Sequence, residues 1–216
     1  MNIENNSGWR SILTYGLVYK IVQFVFSEHK SKQLILDEFI TPEGKNCKVL
    51  DMGCGPGNLL SFLPPHVNYI GFDVNQEYIN LAKQRNKKHK NSTFIMGSAL
   101  DALNHDQITD NSIDVVIIHG VLHHVTDQIA QEMFECAEKK LKRNGKMVVL
   151  EPVWFNGQSK FRKWVMQRDR GNNIKHHDEW VKLFSTLSSP WANISTSIEQ
   201  NLIRFYDLIV LRLQKN

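Results

Sequence analysis

Cysteine is scarce in this chain. Cys47, Cys54 and Cys136 are the three among 216 residues, and no two form a C-x-x-C pair. An odd, scattered set of thiols argues against a disulfide framework or a thiolate zinc site and fits a reducing compartment. Long apolar runs are missing too: the most apolar early stretch, residues 11–26, is interrupted by Lys20 and Gln23 and is too short to span a bilayer. The opening MNIENNSG carries Glu4, has no basic start and leads to no small-residue cleavage site. A signal peptide is therefore not expected, and a cytoplasmic location is. Strong charge is also lacking, since 26 basic against 22 acidic residues leaves +4. That is too mild to call for nucleic acid without a denser basic face.

What remains is ordinary globular material, with 42% hydrophobic and 22% charged residues. A chain of this size buries about 70% of its unfolded surface, enough to dispense with a metal or disulfide staple. Short apolar runs at 48–52, 69–74, 93–96, 114–119 and 147–150 alternate with helical spacing at 75–86 and 127–142, the latter stopped by Asn144-Gly145. Runs such as Val115-Val116-Ile117-Ile118 are continuous, as in strands buried on both faces of a parallel sheet. Helical patterns at 160–167 and 178–187 precede two strand-like runs, 192–197 and 205–213, whose short connection predicts an antiparallel pair. Before the sheet, 32–40 reads as a helix. Residues 11–26 read as one that is apolar all round and must be covered by the domain or a partner.

The expectation is an α/β fold with a mixed seven-stranded sheet: five parallel-type strands plus a C-terminal antiparallel hairpin, with helices on both faces. One domain fills 1–216. Its parts are an N-terminal helical cap (1–41), a ligand-binding core (42–152), a helical insert (153–190) and the C-terminal strands (191–216).

The strongest local signal is Val49-Leu50-Asp51-Met52-Gly53-Cys54-Gly55-Pro56-Gly57. Glycines at alternate positions permit positive φ and close approach of backbone to a ligand, at the strand end where open α/β sheets bind. The dinucleotide fingerprint G-x-G-x-x-G fails because Asn58 stands at its last glycine, and Pro56 removes an N–H that a pyrophosphate would want. A second strand ends in Asp73, twenty residues beyond Gly53. A carboxylate there can accept both hydroxyls of a ribose, or it can cap the helix beginning near Asn75. Two further strand ends follow, Met96-Gly97-Ser98-Ala99-Leu100-Asp101 and His119-Gly120-Val121-Leu122-His123-His124-Val125.

These motifs, with the outline of five strands followed by a hairpin, resemble the class I S-adenosylmethionine-dependent methyltransferases of the bacterial small-molecule type, over residues 48–213. The resemblance implies a Rossmann-like methyltransferase fold, S-adenosylmethionine as cofactor and methyl transfer to a small-molecule O, N or C nucleophile. It places the methionine part of the cofactor against Asp51, Gly53, Cys54, Gly55 and Gly57, and the ribose on Asp73 beside Val74. Adenine falls to Ser98, Ala99 and Leu100. Family members often carry an acid where this chain has Ser98, so Ser98, Asp101 or the backbone at 99–100 is left to supply that contact. The methyl end lies along His119 and Gly120.

In-line displacement at a sulfonium chiefly needs the acceptor held at attack distance, where positioning supplies effective molarities on the order of 10^5–10^8 M. A base helps where the acceptor must lose a proton, and His123 and His124 are the candidates. His123-His124 beside His176-His177 suggests metal ligands, but adjacent histidines diverge, and no metal is expected. The insert carries Lys160, Arg162, Lys163, Arg168 and Arg170 among Trp154, Phe155, Phe161 and Trp164. One reading makes it a cap whose cations, Arg168 and Arg170, together with His124, contact an anionic or phosphorylated acceptor. The other makes it a solvated amphipathic helix with Trp154 and Trp164 in the core. No Asn/Asp-Pro-Pro-Tyr type motif follows the fourth strand, so nucleic acid is not the expected partner. An RNA or protein methyltransferase, or a non-catalytic cofactor-binding scaffold, is the rival reading, and the chain is expected to be a monomer or homodimer.

Overall fold

The computed structural model describes residues 29–40, 46–169, 171, 173–187, 191–203 and 205–216. The apolar stretch 11–26 and Arg170 lie outside the described residues.

Five strands run parallel: β1 (Lys48–Met52), β2 (Asn68–Asp73), β3 (Ser92–Met96), β4 (Ile113–His119) and β5 (Leu141–Trp154). A two-residue β6 (Lys175–His176) pairs with the far end of β5, and β7 (Trp191–Ile203) and β8 (Tyr206–Lys215) form the expected hairpin. The spatial order is β3-β2-β1-β4-β5-β8-β7, with β8 antiparallel to both neighbours. The anticipated seven strands are all present, and β6 is the addition.

Helices cover both faces because the strands are apolar on both. On one face α1 (His29–Phe39) and α2 (Gln76–Arg85) bury Ile35, Phe39, Ile79 and Ala82 against Val49, Ile117, Val148 and Val210. On the other, α3 (Asp127–Lys140) and α5 (His177–Ser185) bring Met133, Phe134, Trp180 and Phe184 onto Leu50, Val116, Val149 and Ile209. The described part of the expected N-terminal cap, α1, is thus a layer helix packed on the sheet, tied to β8 by a Glu38–Arg212 ion pair. A short α4 (Lys160–Met166) lies in the insert.

Two details depart from the sequence reading. Helix α3 ends at Lys140, earlier than expected, and β5 begins at Leu141. Asn144 adopts φ 62°, and the pairing with β4 shifts register between Ile113 and Val115. Asn144-Gly145 is therefore an irregularity in a strand rather than the helix stop. In the insert, Trp180 of α5 takes the core position, fully enclosed with its indole N–H on the Pro152 carbonyl at 3.0 Å. Trp154 is half-buried and Trp164 is exposed.

Candidate active site

Strand addition proceeds outward in opposite directions from the hydrogen-bonded pair β1 and β4. At such a switch point the carboxyl ends part and leave a crevice that receives ligands. The turn after β1, the end of β2 and the turn after β4 border it.

In the first turn, the N–H groups of Gly53 and Cys54 both donate to the Phe72 carbonyl at 2.8 Å. Gly53 adopts φ 89°, and a Cβ there would stand 2.3 Å from Val121 Cγ2, so only glycine lets the two turns close on each other. Gly55, at φ 52°, faces open space, since a Cβ there would meet nothing within 4 Å. This is bare backbone exposed to the crevice. Gly57 completes the turn, its carbonyl accepting from the Asn86 side chain at 3.2 Å. Cys54 is buried, and burial drives its thiol far above the ordinary range, so it is inert. Asp51 is buried beneath the turn. Burial pushes its carboxyl up to about 7, opposed by a 2.5 Å hydrogen bond from the Tyr69 hydroxyl and reinforced by the charge of Asp73.

Asp73 joins two segments. Its Oδ2 accepts the Gly55 N–H and its Oδ1 the Asn75 N–H, both at 2.8 Å. The helix cap belongs to Asn75, whose side chain accepts from Glu77 and Tyr78. The carboxylate of Asp73 is thus aimed into the crevice beside the open backbone of Gly55. Val74, next in the chain, is 65% exposed, and Met96, the strand partner of Asp73, is 55% exposed. Two bare apolar side chains beside one acid form a platform for a flat apolar ring. Met96 was not singled out from the sequence, where it reads as the last residue of an ordinary strand. At the β3 turn, Ser98 gives both its N–H (2.6 Å) and its hydroxyl (3.0 Å) to Asp101 Oδ2. Asp101 is thereby committed to its own turn, and the Ser98 carbonyl takes the Asp101 N–H in return at 3.1 Å, which leaves Leu100 and the backbone at 99–100 for a ligand.

The turn after β4 is organised by Glu151, a fully buried acid in the otherwise apolar stretch 147–153 of β5. Its carboxylate accepts the N–H groups of Val121 (2.8 Å), Leu122 (2.7 Å) and His123 (3.3 Å), and His123 Nδ1 lies 2.6 Å from Oε2. The other ring nitrogen of His123 meets Asp169 Oδ1 at 3.2 Å. Asp169 also accepts from the Gly171 N–H and the Tyr206 hydroxyl, each at 2.8 Å. Burial alone would lower the imidazole pKa, but the hydrogen bonds and charges of Asp169 and Glu151 outweigh it and raise the value to about 9. Against its own burial, Asp169 is held well below the usual carboxylate range by His123.

His123, at 3% exposure with both ring nitrogens on carboxylates, is a held cation with no lone pair to offer. The base role expected of His123 does not fit that setting. His124 is exposed and lies against it, with ring centroids 4.1 Å apart and planes tilted by 39°. His119 ends β4 half-buried, and the Gly120 N–H donates to the Leu150 carbonyl at 2.9 Å. Ligand atoms of His123, His124 and Asp169 lie within 4.8 Å of one another. The His123–Asp169 hydrogen bond already joins two of them, and an ion would have to break it.

The insert is fixed to β8 through the buried Asp207, which accepts from Gln158 and from Arg162, both at 2.8 Å. Arg168 is engaged by Trp164: its guanidinium lies 3.7 Å from the centre of that ring and donates to the Trp164 carbonyl. The acceptor-binding role expected of Arg168 loses its support. A pocket of about 240 Å³ beside α4 is lined instead by Trp154, Lys163, Gln167 and His176. Glu151 could have been found in the sequence, because an acid inside VVLEPV must have partners once buried.

Known proteins share this architecture. A family model described as a methyltransferase domain matches residues 43–201. An uncharacterized methyltransferase of Schizosaccharomyces pombe is 31% identical over 97 residues, 40% of this chain and 34% of that one. A thiol S-methyltransferase of Homo sapiens is 28% identical over 127 residues, 56% of this chain and 52% of that one. The first curated relatives are matched over only 28% to 55% of their own lengths. Among solved structures, a SAM-dependent methyltransferase from Archaeoglobus fulgidus superposes with a TM-score of 0.68, covering 91% of this chain and 99% of that one at 17% identity. With the matched model spanning most of the chain and the solved methyltransferase superposing over 91% of it, the chain belongs to the methyltransferase domain family and has its Rossmann-like fold.

Proposed function

We propose that the chain transfers a methyl group from S-adenosylmethionine to a small-molecule nucleophile. The observation that carries this reading is the meeting of Asp73 with Gly55, an acid and bare backbone joined at 2.8 Å on the rim of the crevice. The residues fit the cofactor. A carboxylate has about four acceptor positions, so Asp73 can hold the loop and also take ribose hydroxyls. Val74, Met96 and Leu100 offer apolar surface to the adenine ring, with the backbone at Ala99 and Leu100 along its polar edge, since the Ser98 backbone is taken up by Asp101. Gly53, Cys54, Gly55 and Gly57 bring backbone to the methionine part, with Asp51 beneath them. His119 and Gly120 border the methyl end.

When bound, the cofactor supplies a sulfonium-activated methyl group. The chain's own work is positioning. Glu151 fixes the turn from Val121 to His123, and that turn carries His124 to the crevice. His124 is the base for an acceptor that must shed a proton, a role suited to an imidazole near neutral pH. The pocket of Trp154, Lys163, Gln167 and His176 supplies the side of the acceptor site where a negative group is favoured.

The test is calorimetry with S-adenosylhomocysteine, followed by incubation of a cell extract with labelled S-adenosylmethionine. Uptake by the wild-type chain and a labelled small metabolite, both lost in Asp73→Ala, support the proposal. Label in RNA or protein moves the acceptor to those classes. Uptake without any transfer makes the chain a cofactor-binding scaffold.

A further inference from the structure

The tip of the insert carries large apolar side chains that the active-site reading leaves unused. Phe161 is 54% and Trp164 51% exposed, neighbours on one face of α4. Their rings lie near parallel with centroids 6.1 Å apart. Phe205, at the β7–β8 turn, puts its ring edge-on to Phe161 at 5.1 Å. It does so at φ 70°, a left-handed conformation that a bulky residue adopts only under strain. Elements far apart in sequence thus build one aromatic knob. Cations surround it. Residues 152–168 contain no acid, and Lys160, Lys163 and Arg168 are exposed around the rings, while Arg162 is drawn inward to Asp207.

We infer that this knob docks on an anionic lipid surface. Aromatic rings flanked by lysine and arginine suit the boundary between headgroups and acyl chains, where the rings enter and the cations meet lipid phosphates. Charge decides against the other occupants. In a two-fold contact with a second copy the patch would face itself, setting three exposed cations against three. Single-stranded nucleic acid would seek open ring faces for stacking, and the Arg168 guanidinium already covers one face of Trp164. The surface shares Lys163 with the pocket beside α4 but uses no residue of the cofactor crevice, so it stands whether or not the methyl-transfer proposal holds.

The experiment is co-sedimentation of the full chain with vesicles of phosphatidylcholine alone and of phosphatidylcholine mixed with phosphatidylglycerol. Binding is expected only to the mixed vesicles, weakening with salt. It is lost in the Phe161→Ser, Trp164→Ser double variant and falls by at least about fivefold per cation reversed in Lys160→Glu, Lys163→Glu. The control Lys87→Glu, Lys88→Glu, an equal charge change in the basic run after α2, retains binding. Circular dichroism confirms that each variant is folded. Failure to sediment with either vesicle overturns the proposal, as does equal loss in the control. Two further results overturn it: a concentration-dependent dimer abolished by the aromatic variant, which gives the patch to a second copy, and RNA retention abolished by it, which gives the patch to nucleic acid.

Discussion

His123 Nδ1 and Glu151 Oε2 lie 2.6 Å apart in the interior, and the opposite nitrogen of the same ring reaches Asp169. The three residues come from the turn after β4, the end of β5 and the insert. Their contacts tie the insert to the turn after β4. An imidazolium between two carboxylates is stable here because Glu151 also takes backbone N–H groups and Asp169 takes Gly171 and Tyr206.

His123→Ala should therefore cost about 3–5 kcal/mol of folding stability, because it strands two buried acids. His124→Ala, at an exposed position, should change stability by less than about 0.5 kcal/mol. If His124 is the base, it should lower kcat by about 10²–10⁴ for an acceptor that loses a proton. Urea unfolding and steady-state rates on both variants separate the two roles. Equal stability loss in the pair would contradict the assignment.

The same network gives a pH dependence. The His123 pKa is about 9 in the folded state against 6.5 for the free side chain. Between those values the native state holds more protons than the unfolded one. The stabilisation is complete below about 6.5 and is lost as pH rises through 9. The stability difference between wild type and His123→Ala should shrink over that interval. A constant difference in unfolding free energy from pH 6 to 10 would show that the ring is not held as a cation.

Asp51 behaves in the opposite sense from a paired carboxylate. Its folded pKa, raised to about 7 from 3.8, means that this group favours the native state when protonated, so its contribution falls as pH rises from about 4 to 7. Asp51→Asn keeps an oxygen to accept the Tyr69 hydroxyl and removes the titration. The variant's melting temperature should gain on wild type across that interval and hold its advantage above it. Parallel melting curves at pH 5 and pH 8 would remove the argument.

Much of this site was readable before any coordinates, for physical reasons that differ by residue. Gly53, Gly55 and Asp73 sit at strand ends, and strand ends announce themselves where a continuous apolar run stops. Helix α2 was legible as well, but the cap that the sequence offered to Asp73 as one reading belongs to Asn75. The partners of Glu151 were hidden because they depend on which distant segments meet: the acid touches residues about thirty positions away. The roles of Arg168 and Trp164 were misassigned for a related reason. Composition gives the insert cations and aromatics, but only the packing of Trp180 into the core decides that Trp164 is left outside with Arg168 laid upon it. The early start of β5 depended on Asn144 accepting a positive φ, which let a strand begin where a helix stop was read.

Gly53→Ala should be among the most damaging single-methyl additions in the chain. The new Cβ would stand 2.3 Å from Val121 Cγ2, and φ 89° is closed to alanine in any case. Destabilisation above about 1 kcal/mol is expected. The double variant Gly53→Ala, Val121→Ala should recover the part due to the clash and keep the part due to the backbone. Gly55→Ala meets no protein atom, so its folding cost reflects φ alone. Its larger effect should fall on cofactor affinity, because a methyl group would enter the crevice. Thermal unfolding and S-adenosylhomocysteine titration of both variants test this. A Gly55→Ala chain with unaltered affinity would place the ligand elsewhere.

Asp73 offers the sharpest test of the ribose contact, because Asn and Ala fail differently there. Asp73→Asn keeps the shape and one acceptor oxygen, which can still serve either the Gly55 or the Asn75 N–H. Its amide nitrogen then faces the other as donor to donor. Charge-assisted bonds contribute about 1.5–3 kcal/mol, so the loss of charge should weaken S-adenosylhomocysteine binding by roughly 10- to 100-fold. Asp73→Ala removes both backbone contacts as well and should add a fall in melting temperature. In both variants the KM for the donor should rise while the KM for the acceptor stays within about twofold, as the proposed hold of the carboxylate on the sugar, away from the reacting atoms, requires. If Asn matched wild type in affinity while Ala merely melted earlier, Asp73 would be a brace for the loop, and the ribose would have to be held by another group.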